Sequence, residues 1–312
     1  RDLRRSRGSE MCIRDRLITL WEIFVDRKGI ILAGGKGTRL YPLTKSTSKC
    51  ILPVYDKPMI YYSLATLLMS GIRDILVIST PEDVKNYSNL IGDGKNFGVN
   101  VSYDIQPTPD GIAQALIIAE NFLTNQPSAL MLADNIFYGD GLESKLVESS
   151  MRDSSTVFSY EVHDPERFGI CEIDGNNRVI SLEEKPAKPK SNLAVTGLYF
   201  YDSDAPQIAK NIEPSDRGEL EITDVNIEYM KSNNLYSEVL NDSYMWIDAG
   251  TQESFLMASN YVKSVEDKTG MKILCPEEIA FKKGYISSDD LNKIAEEYSN
   301  SEYGKYLKKL IA

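Results

Sequence analysis

The stretch KGIILAGGKGTRLYPLTKSTSKCILPVYDK, residues 28–57, decides how the rest of the chain is read. Its apolar run 29–33 is bounded by glycines, the pattern of a strand buried inside a parallel sheet. The run then breaks into Gly34-Gly35-Lys36-Gly37-Thr38-Arg39. Glycines permit positive φ and close backbone approach, so several N–H groups can converge on one anion. Arg39 adds a planar fork suited to phosphate, and Lys49 a second fixed charge. The plain alternative is a tight turn carrying ordinary surface cations. Two familiar phosphate loops are excluded. A P-loop needs Ser or Thr directly after its lysine, where Gly37 stands, and the dinucleotide fingerprint needs a third glycine where Leu40 stands.

Composition narrows the class. The 312 residues carry a formal charge of −11, and residues 1–27 hold more arginines than acids, so the remaining body is more acidic still. Such a body disfavours nucleic acid as a polymer and anionic membrane, while basic residues confined to motifs fit a pocket for one small anion. Cys12, Cys50, Cys171 and Cys275 are scattered without a C-x-x-C pair, as in a reduced cytoplasmic protein. No run reaches the length of a membrane span. The basic N-terminus precedes an apolar run interrupted by Glu22, with no small-residue cleavage site, so no signal peptide is expected. Residues 11–16 (MCIRDR) read like translated adapter DNA, and a natural start is expected near Lys28. Residues 1–27 are therefore set outside the domain, with 17–27 a loose helix or poorly ordered.

Along the chain, helical spacing marks residues 58–70, 112–123, 219–231 and 251–268. Strands are expected at 74–79, 99–105 and 129–133, and a helix start at Thr80-Pro81-Glu82-Asp83. This alternation gives an α/β fold: a mostly parallel sheet in three layers, with ligands at the carboxyl ends of its strands. From residue 155 the rhythm changes to strands at 155–162, 168–173, 179–182 and 194–201, a partly antiparallel extension. The domain is set at 28–265, and 266–312 form a C-terminal helical element, a possible subunit or regulatory interface.

The glycine stretch resembles the sugar-1-phosphate nucleotidylyltransferases, whose signature is G-G-x-G-T-R-L with a later lysine before Leu-Pro. QPTPDG (106–111), DNIFYG (134–139), DPERFG (164–169), SLEEKP (181–186), VTGLYFYD (195–202), RGELEITD (217–224) and WIDAGT (246–251) point to the branch using thymidine nucleotides and glucose 1-phosphate. The resemblance runs from about Lys28 to the C-terminus. It implies a Rossmann-like fold of the nucleotide-diphospho-sugar transferase type whose extension carries the sugar. The implied reaction joins dTTP and glucose 1-phosphate to give dTDP-glucose and pyrophosphate, feeding deoxysugar synthesis such as that of dTDP-rhamnose. A homotetramer with a second, regulatory nucleotide site is also implied.

Asp134 and Asp248 each end an apolar run, and two carboxylates at strand ends could share a hard cation. Capping aspartates are the commoner reading of any single Asp; the resemblance assigns both to Mg²⁺ (magnesium). Gln106 in a proline-fixed loop offers a donor and an acceptor to a pyrimidine edge, although a bland turn reads the same. By resemblance Arg39, Lys49 and Lys185 are the catalytic cations. Gly34, Gly35, Gly37, Thr38, Gln106, Pro109 and Gly111 hold the nucleotide; Gly169, Glu184, Lys185, Val195, Tyr199 and Arg217 surround the sugar phosphate.

His163 is the only histidine. A sugar phosphate is already anionic and needs no general base, only alignment and charge neutralisation. Cys50 beside Lys49 is the competing idea, a thiolate nucleophile. Three departures from the family pattern stand next to expected ligand residues: Cys50 for Gln, Ala133 for Gly and Ala249 for Thr. They keep open a preference for UTP or another nucleotide, and a non-catalytic subunit that binds nucleotide sugar.

Overall fold

The computed structural model describes residues 27–312. Thirteen strands run in chain order: β1 (Lys28–Ala33), β2 (Pro53–Val54), β3 (Lys57–Pro58), β4 (Asp74–Ser79), β5 (Asn100–Ile105), β6 (Ser128–Leu132), β7 (Asn135–Gly139), β8 (Ser155–Glu161), β9 (Gly169–Ile173), β10 (Val179–Glu184), β11 (Leu193–Tyr201), β12 (Leu235–Leu240) and β13 (Tyr244–Asp248). Parallel pairing of β5, β4, β1 and β6 makes the first half of the main sheet. β11 then enters antiparallel to β6, β8 and β9, and β10 returns antiparallel on β9. Among the described residues of this main sheet β10 and β11 alone oppose the common direction, so the mostly parallel sheet and its partly antiparallel extension are both present.

Burial follows from that topology. β1 faces helices on both sides: Ile31 belongs to the core beneath the helix Met59–Met69, and its neighbour Ile30 to the core of the opposite face with Leu116, Tyr199 and Val225. Alternate residues of one strand feed two cores, which is the physical content of three layers. β5 is the edge strand and exposes every other residue or more. The C-terminal helices Pro276–Lys282, Ser288–Glu297 and Glu302–Lys309 share a small apolar cluster of their own, with the first packed on Met59–Met69.

Several boundaries differ from expectation. Residues 112–123 form two short helices, Gln114–Ile118 and Glu120–Leu123, which meet at Ala119; the segment opens with tight bonds from Ala115 N to Ile112 O and Leu116 N to Ala113 O. The helix after Thr80 begins only at Val84; Thr80 Oγ1 accepts from Asp83 N within the preceding turn. The expected loose helix at 17–27 lies, except for Arg27, outside the described residues. Arg27 itself is buried, and its guanidinium donates to the carbonyls of Ser128 (2.8 Å) and Ser150 (3.0 Å). The folded body thus includes a residue that the sequence reading set outside it. Cys50, Cys171 and Cys275 are free and buried, and no helix among the described residues is long and apolar enough to cross a membrane.

Two features open the site. One edge of β11 pairs first with β9, through Leu193 and Ala194, and then with β6, from Leu198 onward. β6 and β9 therefore part along that edge and leave a mouth beside Val195, Thr196 and Gly197. Separately, β7 and β13 pair as an antiparallel ribbon with Asp248 opposite Asn135, while Ala249 N donates to Asp134 O at 2.9 Å. This ribbon brings together two aspartates that lie more than a hundred residues apart in sequence.

Candidate active site

A cleft of about 320 Å³ occupies that mouth. Ten of the residues singled out from sequence line it: Gly34, Arg39 and Lys49 from the glycine stretch, Asp134 and Asp248 from the ribbon, and Gly169, Glu184, Lys185, Val195 and Tyr199 from the extension. An adjoining cleft of about 500 Å³ has Gly35, Gln106 and Pro109 in its wall. Gly37, Thr38, Gly111 and Arg217 line neither.

The glycine loop is shaped by two requirements. A Cβ on Gly34 would sit 2.3 Å from Gln106 Oε1, so the glycine lets the Gln106 side-chain amide lie against the end of strand β1. Gly37 takes φ +57° at the head of the turn Thr38–Leu40, where its carbonyl accepts from Thr44 Oγ1 at 2.7 Å. Leu40 is buried and anchors the turn, which leaves Arg39 exposed over the cleft. The missing side chain of Gly250 gives room there: a Cβ at that position would stand 3.0 Å from both Arg39 Nη2 and Asp248 Oδ1.

Lys49 donates to Asp134 Oδ2, and Asn135 Nδ2 donates to Asp134 Oδ1 at 3.1 Å. Burial works against both charges of this pair, and mutual attraction more than offsets it. Lys49 is held above the usual lysine range and Asp134 below the usual carboxylate range. Asp248 behaves oppositely. Burial, then the negative charge of Asp134, pushes its carboxyl up to about 6, against the pull of Lys49, Arg39 and Arg167. Asp248 thus lacks compensating positive charge, and beside Asp134 it offers oxygen ligands to a hard cation. Among the described residues no cluster of three or more His, Cys, Asp or Glu forms a metal site. Two carboxylates suit Mg²⁺, which takes its remaining oxygens from phosphates and water.

At the other end, the register of β10 on β9 sets Glu184 opposite Gly169. Glu184 Oε2 accepts from Thr223 Oγ1 at 2.6 Å, and its Oε1 lies 3.2 Å from Lys185 Nζ. Lys185 has φ +45°, an uncommon backbone for lysine, fixed by its N–H donating to Phe168 O at 3.0 Å. Arg217 stands behind Glu184, bonded to Glu221 Oε1 at 2.8 Å and 3.6 Å from Glu184 Oε1. It does not itself line the cleft and borders it through Glu184.

Sequence reasoning missed Asn135, Arg167, Thr223 and Trp246, all in the cleft wall. Asn135 Oδ1 accepts from Trp246 Nε1 (2.7 Å) and Gly197 N (3.0 Å), tying the ribbon to β11. Their signal was present, since each sits inside a quoted motif that also holds a chosen residue. The three departures are core residues. Cys50, Ala133 and Ala249 are at most 1% exposed and line neither cleft. Burial pushes the Cys50 thiol up to about 12 despite Lys49, which ends the thiolate reading. His163 is exposed and outside both clefts.

Residues 28–265 match the sequence profile of the nucleotidyl transferase family. The chain is 51% identical over 282 residues to glucose-1-phosphate thymidylyltransferase of Xanthomonas campestris pv. campestris, covering 90% of this chain and 96% of that one. It is 48% identical over 284 residues to the enzyme of the same name from Mycobacterium tuberculosis, covering 91% and 99%. A structure solved as a glucose-1-phosphate thymidylyltransferase from Bacillus anthracis with sucrose superposes with a TM-score of 0.69 at 43% identity, covering 75% of this chain and 94% of that one. A UDP-glucose pyrophosphorylase with UDP-glucose gives 0.68 at 25%, covering 77% and 99%. A family profile over most of the chain and relatives at about half identity agree, and the chain belongs to the nucleotidyl transferase family.

Proposed function

We propose that this nucleotidyltransferase joins dTTP and glucose 1-phosphate, giving dTDP-glucose and pyrophosphate. The observation that carries the reading is the single cleft in which Arg39, Lys49, Asp134 and Asp248 face Glu184 and Lys185. The relatives at about 50% identity, named for that activity, support the choice of substrates.

The sugar phosphate is anionic and attacks the α-phosphorus in line, while pyrophosphate leaves from the opposite side. No general base is required of the chain, and the exposed His163 plays no part. Arg39, over the cleft, takes up charge passing to pyrophosphate. Lys49, kept cationic by Asp134, adds a desolvated charge at the same end. Asp134 and Asp248 would hold Mg²⁺, which when bound neutralises phosphate charge. Glu184 accepts from sugar hydroxyls, with Thr223 fixing its orientation, and Lys185 meets the sugar phosphate. The same reading extends to a cytoplasmic homotetramer feeding deoxysugar synthesis; exposed Leu256 and Met257 on the helix Gln252–Thr269 offer apolar surface for subunit contact, and sedimentation would check the assembly.

The test is pyrophosphate release with glucose 1-phosphate, Mg²⁺ and dTTP, UTP, CTP, ATP or GTP in separate reactions. Release mainly with dTTP is expected. Preference for another nucleotide would keep the chemistry and change the substrate. Silence from folded protein that binds dTDP-glucose would replace the enzyme by a regulatory subunit.

A further inference from the structure

Gln106 follows β5 and is only 5% exposed. Both hydrogens of its side-chain amide are spent inside the protein: Nε2 donates to Gly111 O at 3.2 Å and to Gln114 Oε1 at 2.7 Å. Gln114 donates in turn through Nε2 to Asp110 Oδ2 at 3.0 Å, an oxygen that also accepts from Thr108 Oγ1. A backbone carbonyl and a carboxylate can only accept. Turning over either amide would set oxygen against oxygen, so these two acceptors fix the polarity of the whole chain. The group left over is Gln106 Oε1. No described residue donates to it, and it lies against the backbone of Gly34, where a Cβ would be 2.3 Å away.

We propose that Gln114 and Asp110 are positioning residues that present Gln106 to the base as a pure acceptor. The site then takes pyrimidines whose ring nitrogen carries a hydrogen, the imide of thymine or uracil, and rejects cytosine, whose matching nitrogen is itself an acceptor. This deepens the nucleotide reading above and rests on it. It also revises the view of Gln106 as both donor and acceptor. Thymine and uracil share the imide, so this relay does not separate them; that distinction belongs to contacts around the methyl group.

The experiment is calorimetric binding of dTTP, dUTP and dCTP to the full chain, with melting curves to confirm folding. Wild type is expected to bind dUTP at least about tenfold more tightly than dCTP, because the wrong base leaves a buried acceptor facing an acceptor. Gln114→Leu removes one of the two acceptors that hold the Gln106 amide, and Asp110→Asn lets Gln114 turn over, so that in each variant Gly111 O, at 3.2 Å, is left alone to resist reversal. Each is expected to bring the dUTP:dCTP preference to about threefold or less, a change that loss of stability alone would not produce. Equal binding of dUTP and dCTP by wild type overturns the proposal, as does an undiminished preference in whichever variant folds. Failure of all three nucleotides to bind overturns it together with the nucleotide reading. Binding with this preference but no pyrophosphate release would sink the proposed reaction and leave the relay standing.

Discussion

Lys49 and Asp134, at the glycine-loop end of the cleft, keep only 14% and 12% of their side chains in water. Lys185 and Glu184, at the sugar end, keep 44% and 30%, and Arg217 keeps 46%. The residue types are alike at both ends, and the solvent differs. A desolvated charge acts through a low dielectric and is felt strongly by developing phosphate charge, whereas an exposed pair is screened. The buried end is therefore suited to charge stabilisation in the reaction, and the exposed end to exchanging hydrogen bonds with a polyhydroxy substrate. The difference follows from topology. The β7–β13 ribbon closes over Asp134, while Glu184 sits at the open end of β10.

The contrast can be broken most severely at Asp134. Asp134→Asn is expected to lower turnover about 10³-fold. It also leaves Lys49 largely buried without its anion, a loss of about 3 kcal/mol in denaturant unfolding. Arg39→Ala comes next, with a loss of about 10²–10³ in kcat and little effect on stability, since Arg39 is exposed; a loss below tenfold in steady-state assays would remove Arg39 from the mechanism.

Asp248→Asn sharpens the comparison through stability. The wild-type carboxyl is raised from 3.8 to about 6 in the folded protein. Its contribution to stability is thus fully present below pH 3.8 and lost as pH rises through about 6. In metal-free buffer the amide is expected to gain about 2 kcal/mol at pH 8, a few degrees in Tm, with the gap closing near pH 4. A variant less stable than wild type at pH 8 would contradict the strained carboxylate pair. The smallest effect is expected at the exposed end. Thr223→Val removes one bond to Glu184 and should raise KM for glucose 1-phosphate by about tenfold or less.

The glycine loop and Lys49 could be singled out from local chemistry, a buried strand, a φ-permissive turn and cations directly after it, whereas Asp134 read locally as a capping residue and owed its metal role to the resemblance. The alternation of strands and helices likewise gave the three layers. What stayed hidden depends on pairing across long separations. β7 follows β6 after only Ala133 and Asp134, and nothing local says that β7 leaves the sheet to pair with β13. The division of one β11 edge between β9 and β6 is hidden for the same reason. Side-chain direction was the other blind spot. Cys50 is adjacent in sequence to Lys49, yet the lysine reaches Asp134 while the thiol points into the core near Tyr87. Arg217 was placed at the sugar phosphate by its motif, and the motif gave no sign that Glu184, Glu219 and Glu221 gather round its guanidinium.

The division of labour is tested most directly by initial rates of pyrophosphate release at varied glucose 1-phosphate and saturating dTTP, measured side by side for Arg39→Ala and Thr223→Val. The expected result is a fall in kcat with little change in KM for the first, and a rise in KM with kcat nearly preserved for the second. Equal losses of kcat in both variants, or a loss confined to KM in Arg39→Ala, would contradict it.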